Sequence, residues 1–419
     1  MTTGISLKRR LQPVVESLLR DEPVIAVHGP RTVGKSTMMR ALADVAGRAV
    51  VDLDDRETRA SVEDNLAAYM SGEAPVFVDE YQHFPPLLDA IKAELNRNLE
   101  PGRFVLTGST RHSSLPAAAQ SLTGRLHIAT LWPLSQGEID GVEERFAEQL
   151  LEDPARLVDP TAQSKSSRQD YVARILRGGL PLAVARPPAS RERWFDDYVQ
   201  LVVERDVVEL SRIRQREKMP QLLMRLASQS AQVLNVARAA ADLGIDGSTA
   251  EEYVRLLEAA FLIHRLPAWG TTLRARVSAK PKLHLVDSGV AGRMLGVGES
   301  QLAATQPQAM TQLGFLLETF CVGELMKQIS WIDDRVRTGH WRTHDGDEVD
   351  LVLERSDGAV AGVEIKAGEA TSSASFRGLR KLRDALGERF LGGVVLHLGR
   401  YSSRHDERLY ALPVDRLWS

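Results

Sequence analysis

The sequence predicts an α/β protein with an N-terminal parallel, doubly wound domain, a helical middle and a second α/β domain at the C-terminus. Three observations predict this class. Apolar strands alternate with helices over residues 1–150, a helix, glycine turn and helix lie within residues 214–290, and a helix followed by a strand hairpin lies within residues 300–419. Residues 151–213 form the expected linker and connecting helices. A chain of 419 residues also exceeds one ordinary core, which favours several domains.

Composition excludes several classes of protein. Hydrophobic residues at 43% and charged residues at 26% are typical of a globular protein, and a net charge of −3 predicts no global attraction to nucleic acid. Cys321 is the single cysteine, which excludes an internal disulfide and a thiolate-rich zinc site and favours a reducing cytoplasm. The start of the chain lacks the apolar stretch of a secretory signal, and no apolar run has membrane-spanning length. We therefore expect a cytoplasmic protein without a membrane partner.

Residues 29–36 match the phosphate-binding pattern G-x-x-x-x-G-K-[ST] in the context that gives it meaning. The apolar run 24–27 predicts a buried strand before the loop, Thr37–Ala46 predicts a helix after it, and Gly47 is placed to end that helix. Backbone N–H groups of such a loop, together with the helix N-terminus, bind a polyphosphate. The sequence therefore predicts that ATP is bound by the nine residues Gly29, Pro30, Arg31, Thr32, Val33, Gly34, Lys35, Ser36 and Thr37.

Particular chemistry is expected of two loop residues and of an acidic pair downstream. Lys35 would reach the β- and γ-phosphates, and the Ser36 hydroxyl would bind Mg²⁺. The strand 76–78 runs into Asp79 and Glu80. Asp79 would hold the water shell of Mg²⁺, and Glu80 would orient and deprotonate the attacking water. Helix capping by an acidic pair is the structural alternative, and the neighbouring phosphate loop disfavours it.

A further strand, 104–106, leads to Thr107 and Ser109, either of which is a candidate sensor of the γ-phosphate. Arg125, in the run SLTGR, is a candidate arginine finger, supplied to a neighbouring subunit or to its own site. A solvated surface arginine is the alternative interpretation of Arg125.

The runs GPRTVGKST, VFVDEYQHFPPLL, FVLTGST, SLTGR and WPLSQGE resemble a prokaryotic AAA-type ATPase family whose members carry a C-terminal domain of unknown function 4143. The resemblance continues through RGGLPLAV, WFDDYVQLVVERDVVEL, KPKLHLVDSGVA and GDEVDLVLE. It implies ATP binding, and it implies a homo-oligomer, because AAA-type ATPases commonly complete their site at a subunit boundary. The chain departs from the pattern at Thr107 or Ser109, where many related ATPases have Asn.

The helical middle predicts a helix-turn-helix unit. Asn235 is expected to cap its second helix, the turn is 244–247, and Ser248 is expected to cap the third helix. Residues 262–285 could be a wing, and DNA-backbone contact and domain packing both remain open for the unit. The basic residues of this wing, which surround Trp269, are Arg265, Arg274, Arg276, Lys280 and Lys282. The third helix carries Glu251, Glu252 and Glu258, which would repel phosphates and therefore argue against recognition of DNA bases by this helix. In the helix before this unit, which is expected to run from Trp194 to Ile213, Arg205 could contact nucleotide or form an intrahelical ion pair.

A second constellation lies near the end of the chain. Glu318 lies on a helix, Asp350 on a strand, and Glu364 and Lys366 on the return strand of a hairpin. Alternate strand residues share a face, so Glu364 and Lys366 point together, and Asp350 can join Glu364 in binding Mg²⁺ or Mn²⁺. Glu318 could add a metal ligand from the flanking helix. This order resembles the PD-(D/E)xK nuclease superfamily, in particular its Holliday-junction-resolvase branch. The resemblance implies that Lys366 positions or activates water, while a plain surface ion pair is the alternative.

Two functions from different classes follow. In the first, an ATPase acts on DNA or is regulated by it and carries a nuclease-like module. A basic helix in that module, with Arg377, Arg380 and Lys381, could follow a nucleic-acid strand. In the second, ATP controls assembly or partner binding, and the nuclease-like domain is catalytically inert. A metabolic kinase is disfavoured, because Asp79 and Glu80 favour attack by water.

Overall fold

The structure of this chain is a computed structural model that describes residues 8–111, 122–159, 161–207, 215–272, 279–304 and 306–419. Four features of the sequence predictions fall outside these ranges, namely Ser121, the end of the 194–213 helix, Arg274 and Arg276. The chain divides into two compact units, one drawn from residues 1–134, 201–216 and 255–262, and the other from residues 135–200, 217–254 and 263–419.

The first unit is a five-stranded parallel sheet in the order β2-β3-β4-β1-β5. Its strands are β1 (Val24–His28), β2 (Val50–Asp52), β3 (Val76–Asp79), β4 (Phe104–Gly108) and β5 (Leu126–Thr130). Its helices are α1 (Leu11–Leu18), α2 (Lys35–Ala46), α3 (Arg56–Asp64), α4 (Leu66–Met70) and α5 (Pro86–Arg97), with a short 3-10 turn at Tyr81–His83 and a π-helical turn at Val202–Val207.

Alternation along β1 explains why this sheet is covered on both faces. Val24 and Ala26 lie in one apolar cluster with residues of α3, α4 and α5, while Ile25 and Val27 lie in another with residues of α1 and α2. Successive strand residues point to opposite faces, so a continuous apolar strand needs two covering layers. The parallel doubly wound domain is confirmed. Strand β5 was not predicted, and in the structure only one of its five residues, Ala129, is buried.

The second unit carries two sheets. Its strands are β6 (Gln232–Val233), β7 (Ile263–Leu266), β8 (Lys282–Leu285), β9 (Arg337–Arg342), β10 (Glu348–Glu354), β11 (Val360–Lys366), β12 (Phe390–His397), β13 (Ser403–Asp406) and β14 (Leu409–Pro413). The smaller sheet has the antiparallel order β6-β8-β7. The larger is mixed, in the order β13-β14-β12-β11-β10-β9.

Helices make up most of the rest of the second unit. They are α6 (Gln136–Asp140), α7 (Phe146–Glu152), α8 (Arg168–Arg177), α9 (Pro181–Val184), α10 (Pro188–Leu201), α11 (Lys218–Ala227), α12 (Val236–Ala240), α13 (Gly247–Ala259), α14 (Ser288–Met294), α15 (Glu299–Ala303), α16 (Pro307–Ile329) and α17 (Arg377–Leu386). Helices α10 and α13 continue along the chain into segments of the first unit. Within the described ranges, none of the helices is long and apolar enough to cross a membrane.

Local signals explain the helix ends of the middle region. The Asn235 side chain accepts from the Arg238 N–H at 3.0 Å, so the predicted cap of α12 is confirmed. The predicted cap of α13 was wrong, because Asp246 rather than Ser248 accepts the Thr249 N–H, at 2.9 Å. An aspartate carboxylate accepts more strongly than a hydroxyl, and this moves the start of the helix towards the turn.

Candidate functional site

The loop between β1 and α2 folds as its glycines require. A Cβ placed on Gly29 would lie 2.2 Å from the Leu131 carbonyl oxygen, so a side chain there would collide with the backbone. Gly34 has a φ of +99°, which glycine adopts without the steric cost that other residues meet. The chain can therefore turn tightly and present the N-terminus of α2 at the carboxyl end of β1.

Lys35 is the first residue of α2, directly after the loop, and it is 4% exposed. Its Nζ donates to the carbonyl oxygens of Gly29 and Pro30, each at 3.0 Å. The loop's own carbonyl groups thus hold the ammonium beside the backbone N–H groups, where it adds a positive charge to a site suited to an anion.

Asp79 ends β3 and contacts Ser36, the other residue that was expected to bind the metal ion in this site. Its carboxylate accepts hydrogen bonds from the hydroxyls of Ser36 and Thr107, and from the Glu80 N–H at 3.1 Å. Burial raises the pKa of Asp79, and both hydroxyls oppose that shift. A hydroxyl and a carboxylate next to the phosphate loop are oxygen donors of the kind that Mg²⁺ prefers, so Ser36 and Asp79 fit this cation.

Glu80 is held in an unusual backbone conformation, with a φ of +53°. A non-glycine residue in the left-handed region costs about 1–3 kcal/mol and persists only where the surroundings impose it. The Gln82 amide nitrogen donates to Glu80 Oε2 and also to Ser109 Oγ, the latter at 3.0 Å. Gln82 therefore connects the candidate general base to the candidate sensor. Sequence reasoning missed it, although it lies two residues after Glu80.

Tyr81 fixes the segment that carries Glu80 and Gln82. Its hydroxyl lies 2.8 Å from His28 Nε2 at the end of β1, and the two rings are stacked. A Cβ on Gly108 would lie 2.9 Å from Gln82 Oε1 and 3.0 Å from the Tyr81 ring. The absence of a side chain at Gly108 is what lets the 3-10 turn pack against β4.

Arg125 does not lie near the phosphate loop of its own chain. It immediately precedes β5, and Leu126 is paired with Val24 at the amino end of the parallel strand β1. The phosphate loop follows the other, carboxyl end of β1, and Arg125 donates to Asn96 Oδ1 at 2.7 Å. Strand direction therefore excludes the expected role of Arg125 in its own site as the domain stands, and the role towards a neighbouring subunit stays a prediction.

The segment after Ser109 contacts the end of α13 within the first unit. The Arg111 backbone N–H donates to the Ala259 carbonyl at 3.0 Å, and its Nε donates to the Glu258 carbonyl at 3.0 Å. Its guanidinium also lies over the Phe261 ring, 4.7 Å from the centroid. Carbonyl groups at a helix C-terminus favour a cation, so Arg111 binds the last turn of α13. Arg205, also in this unit, lies 3.3 Å from Asp54.

The predicted wing has a different surface from the one expected. Strands β7 and β8 pair antiparallel, but Trp269 is buried and its Nε1 donates to Glu354 Oε2 at 3.1 Å. Lys282 is also buried, Arg265 is half-buried, and Lys280 is exposed. Of the two alternatives left open for this unit, Lys282 follows packing rather than DNA contact, because its ammonium binds carboxylates in the protein interior.

Those carboxylates are two members of the predicted nuclease-like constellation. Lys282 Nζ donates to Glu318 Oε1 at 2.8 Å and to Asp350 Oδ1 at 2.9 Å, and it lies 3.8 Å from Glu348 Oε2. Asp350 Oδ2 accepts from the Ile365 N–H at 2.9 Å. Strand β8 thus supplies a cation to α16 and β10, a connection that sequence spacing could not show.

Glu364 and Lys366 complete the cluster on β11. Lys366 Nζ donates to Glu364 Oε1 at 2.5 Å, while Glu364 Oε2 has no hydrogen-bond partner among the described residues. Burial, and repulsion from Asp350, raise the pKa of Glu364 to about 8. The structure therefore brings together Glu318, Asp350, Glu364 and Lys366 as predicted, and adds Lys282, which binds Glu318 and Asp350.

This set does not fit the divalent metal ion that was expected there. The Lys282 ammonium takes one oxygen of Glu318 and one of Asp350, and the Ile365 N–H takes the other Asp350 oxygen. In the part of the chain that the structure describes, no group of three or more His, Cys, Asp or Glu side chains is arranged to hold a metal ion. The expectation that Glu318, Asp350 and Glu364 are metal ligands is therefore not supported in this conformation, for Mg²⁺ or for Mn²⁺.

The cluster lines a cavity of about 790 Å³, bordered by Arg342, Asp347 and Arg377 among others. The basic helix α17 was expected to follow a nucleic-acid strand. Instead Arg377 and Lys381 both form ion pairs with Asp347, and Arg380 donates to the Ser373 carbonyl at 2.7 Å. Asp347 thus balances part of the positive charge of α17.

Family comparisons cover three parts of the chain. Residues 21–140 match an AAA domain, residues 168–301 match a domain of unknown function, DUF8612, and residues 313–417 match a domain of unknown function, DUF4143. The combination of an AAA-type domain with a C-terminal domain 4143 is confirmed. The nuclease-like part of that expectation stays a prediction.

Relatives and solved structures give a broader view. Uncharacterized protein Mb2031c of Mycobacterium bovis and uncharacterized protein Rv2008c of Mycobacterium tuberculosis are each 26% identical over 401 residues, which cover 95% of this chain and 82% of the relative. Similar structures include the Walker-type ATPase PABY2304 of Pyrococcus abyssi, with 15% identity, 68% of this chain and 94% of that chain covered, and a TM-score of 0.41. Another is the RuvB Holliday junction branch migration motor of Thermotoga maritima, which is 18% identical. The match covers 62% of this chain and 88% of that chain, with a TM-score of 0.29.

Proposed function

We propose that this chain, in which an AAA domain is followed by a domain of the 4143 family, is an Mg²⁺-dependent ATP hydrolase that acts on DNA or is regulated by it. The observation that carries the proposal is the hydrogen-bonded chain Glu80–Gln82–Ser109, next to Lys35 and Asp79. A protein that merely binds nucleotide needs the loop and its lysine. It does not need a carboxylate such as that of Glu80, which is held in place through Gln82 by Ser109 at the end of β4.

Each residue has a distinct role in the proposed reaction. Lys35 leaves the carbonyls of its loop to bind the β- and γ-phosphates, while the N-terminus of α2 supplies backbone N–H groups. Glu80 orients the attacking water and accepts its proton, and Gln82 keeps the carboxylate in position. Ser36 and Asp79 would hold Mg²⁺, which supplies charge compensation for the phosphates when bound.

Contacts of Arg111 support a link between nucleotide state and the helical middle. Ser109 would sense the γ-phosphate, and Arg111 follows it by two residues and binds the last turn of α13. A shift of Ser109 on hydrolysis would therefore act on the helix that occupies the third position of the helix-turn-helix-like unit. This is the route by which DNA could regulate turnover, or turnover could act on DNA.

The second candidate function is an ATP-controlled switch whose C-terminal domain is catalytically inert. The pairing of Lys282 with Glu318 and Asp350 favours it, because this pairing occupies the carboxylates that nuclease chemistry would need. The exposed acidic residues Glu251 and Glu252 on α13 also oppose phosphate contact. In this alternative the same ATPase site controls assembly or partner binding.

One experiment separates the two candidates. ATP turnover is measured with and without duplex, branched and single-stranded DNA, for the wild type and for Arg111→Ala, with the exposed Arg97→Ala on α5 as a control for loss of a surface charge. DNA-acting function predicts stimulation by DNA that is lost in Arg111→Ala and kept in Arg97→Ala. Turnover that is indifferent to every DNA, with an oligomeric state that differs between ATP and ADP in light scattering, would favour the switch and reject a role for DNA.

Assembly is the remaining part of the proposal. Arg125 lies at the amino ends of the strands, opposite the end that carries its own phosphate loop. It would therefore complete a site only in a neighbouring subunit, as a homo-oligomer would allow. Light scattering with and without ATP tests this. A monomer under both conditions would end the proposed role of Arg125.

A further inference from the structure

Lys282 reaches the carboxylate cluster from a separate sheet. It lies on β8 of the three-stranded sheet, whereas Glu318 lies on α16 and Asp350 on β10 of the six-stranded sheet. The side chain is 4% exposed, and its Nζ makes hydrogen bonds of 2.8 and 2.9 Å to the two carboxylates. An ammonium is buried in this way only when opposite charges hold it there.

We infer that Lys282 is the resident cation of this cluster and takes the place in which a divalent metal ion would otherwise bind. The carboxylates thus form a cation site that the ammonium group of Lys282 occupies. This inference concerns the C-terminal domain and does not depend on the proposed ATPase function.

The geometry of the oxygens supports the inference. A divalent ion such as Mg²⁺ needs several oxygen ligands at about 2.0–2.1 Å, with lone pairs directed at the ion. Glu318 and Asp350 offer four carboxylate oxygens, of which Lys282 binds two and the Ile365 N–H binds a third. A metal ion at this point would also meet the positive charge of Lys282 in a poorly solvated environment, where repulsion is strong.

Glu364 supplies an independent indication that the cluster is shaped for a cation. Its side chain is 7% exposed, and its Oε2 is without a hydrogen-bond partner among the described residues while Oε1 is bound by Lys366. A buried carboxylate oxygen without a partner is costly. It could serve a cation once Lys282 is removed, so removal of the ammonium should open a site that the wild type keeps filled.

The test uses Mn²⁺ as the probe, with the full-length, nucleotide-free chain. Free Mn²⁺ is followed by its electron paramagnetic resonance signal during titration of the wild type, Asp350→Asn, Lys282→Ala and the double variant Lys282→Ala with Asp350→Asn. We expect Lys282→Ala to bind one Mn²⁺ at least about tenfold more tightly than the wild type. We expect the double variant to lose this gain.

Lys327→Ala is the matched control, because Lys327 is another buried lysine that pairs with a carboxylate, Glu324, on α16. It should leave Mn²⁺ binding unchanged. Weak Mn²⁺ binding at the phosphate loop is common to every variant and cancels in the comparison.

Two results would overturn the inference. One is a Mn²⁺ site in the wild type that Asp350→Asn removes, since Lys282 would then yield to the metal. The other is a folded Lys282→Ala protein that gains no Asp350-dependent site. If circular dichroism shows that Lys282→Ala does not fold, the wild type and Asp350→Asn still decide: identical titrations support the inference, and loss of a site in Asp350→Asn rejects it.

Discussion

The side-chain amide of Gln82 donates to Ser109 Oγ over 3.0 Å and thereby joins the turn after β3 to the end of β4. The same nitrogen donates to Glu80 Oε2. Gln82 thus connects the carboxylate of Glu80, whose backbone is left-handed, to Ser109 at the end of β4, which would sense the γ-phosphate. The relationship predicts that Gln82 acts on the reaction through Glu80, as a positioning residue.

Gln82→Ala should lower kcat for ATP hydrolysis by about tenfold or more, since loss of orientation weakens general-base catalysis without removing the base. The affinity for ATP should stay within about twofold, because Gln82 is not part of the phosphate loop. Steady-state turnover and ATP titrations measure both quantities.

Gln301→Ala is the control for Gln82→Ala, as this exposed glutamine pairs with Gln312 in the second unit. A Gln82→Ala protein with unchanged kcat would show that the hydrogen bond to Glu80 has no role in catalysis.

Lys35→Ala should weaken ATP binding by about 10- to 150-fold, which corresponds to the loss of about 1.5–3 kcal/mol from charge-assisted hydrogen bonds. Isothermal titration with ATP measures the change, with the exposed Lys92→Ala on α5 as a control of equal charge. Because Lys35 also bridges Gly29 and Pro30, its removal should loosen the loop as well. Equal ATP affinity in Lys35→Ala and Lys92→Ala would contradict the assignment of the phosphate site.

Site residues that belong to a local sequence pattern could be predicted from the sequence. The strand, glycine loop and helix around Lys35 have a local signature, and so do the strand ends at Asp79 and Ser109, since parallel strands bring their carboxyl ends to one edge. The hairpin at Gly358, with its φ of +86°, is local in the same sense.

Three residues could not be assigned from the sequence, because their contacts depend on how separate segments pack. Lys282 was read as part of a basic surface because its neighbours in sequence are basic, yet its carboxylate partners come from α16 and β10. Gln82 and Arg111 have no motif, since their roles depend on how β3, β4 and α13 meet within one unit. The position of Arg125 could not be predicted either, because strand β5 was not foreseen and the direction of that strand decides at which end of the sheet Arg125 lies.

Gly29→Ala should destabilise the protein by about 1–3 kcal/mol, because the added Cβ would meet the Leu131 carbonyl oxygen and force the backbone apart. Chemical denaturation measures the free energy of unfolding. Gly323→Ala is the matched control, since a Cβ there meets nothing within 4 Å in the interior of α16, and alanine should be neutral or stabilising at that position. Equal stability of Gly29→Ala and the wild type would show that the loop has room for a side chain.

Glu144 predicts a pH dependence of stability. Burial, with repulsion from Glu324 and Glu138, raises the pKa of Glu144 from 4.5 to about 7, although Ser135 and the Gly137 N–H oppose the shift. The folded state therefore holds a proton that the unfolded state has released, so stability falls as pH rises from about 4.5 to about 7 and levels off above that. The fall is on the order of 3 kcal/mol.

Glu144→Gln should remove this slope and leave the protein more stable than the wild type at pH 8, because the uncharged amide has no desolvation penalty of ionisation. Urea denaturation at several pH values measures it, with the exposed neighbour Glu143→Gln as the control. A slope of stability against pH that is the same in Glu144→Gln and the wild type would assign the pH dependence to other groups.

The most direct test of the account is Mg²⁺-dependent ATP turnover in Glu80→Gln, compared with the wild type and with Glu63→Gln, an exposed glutamate on α3. Glu80→Gln keeps the size of the side chain and the contact with Gln82 but removes the base. We predict that its kcat falls by about 10²–10⁴-fold while ATP binding is retained, and that Glu63→Gln behaves as the wild type. Turnover in Glu80→Gln equal to that of the wild type would contradict the assignment of this site as an ATP hydrolase with Glu80 as its base.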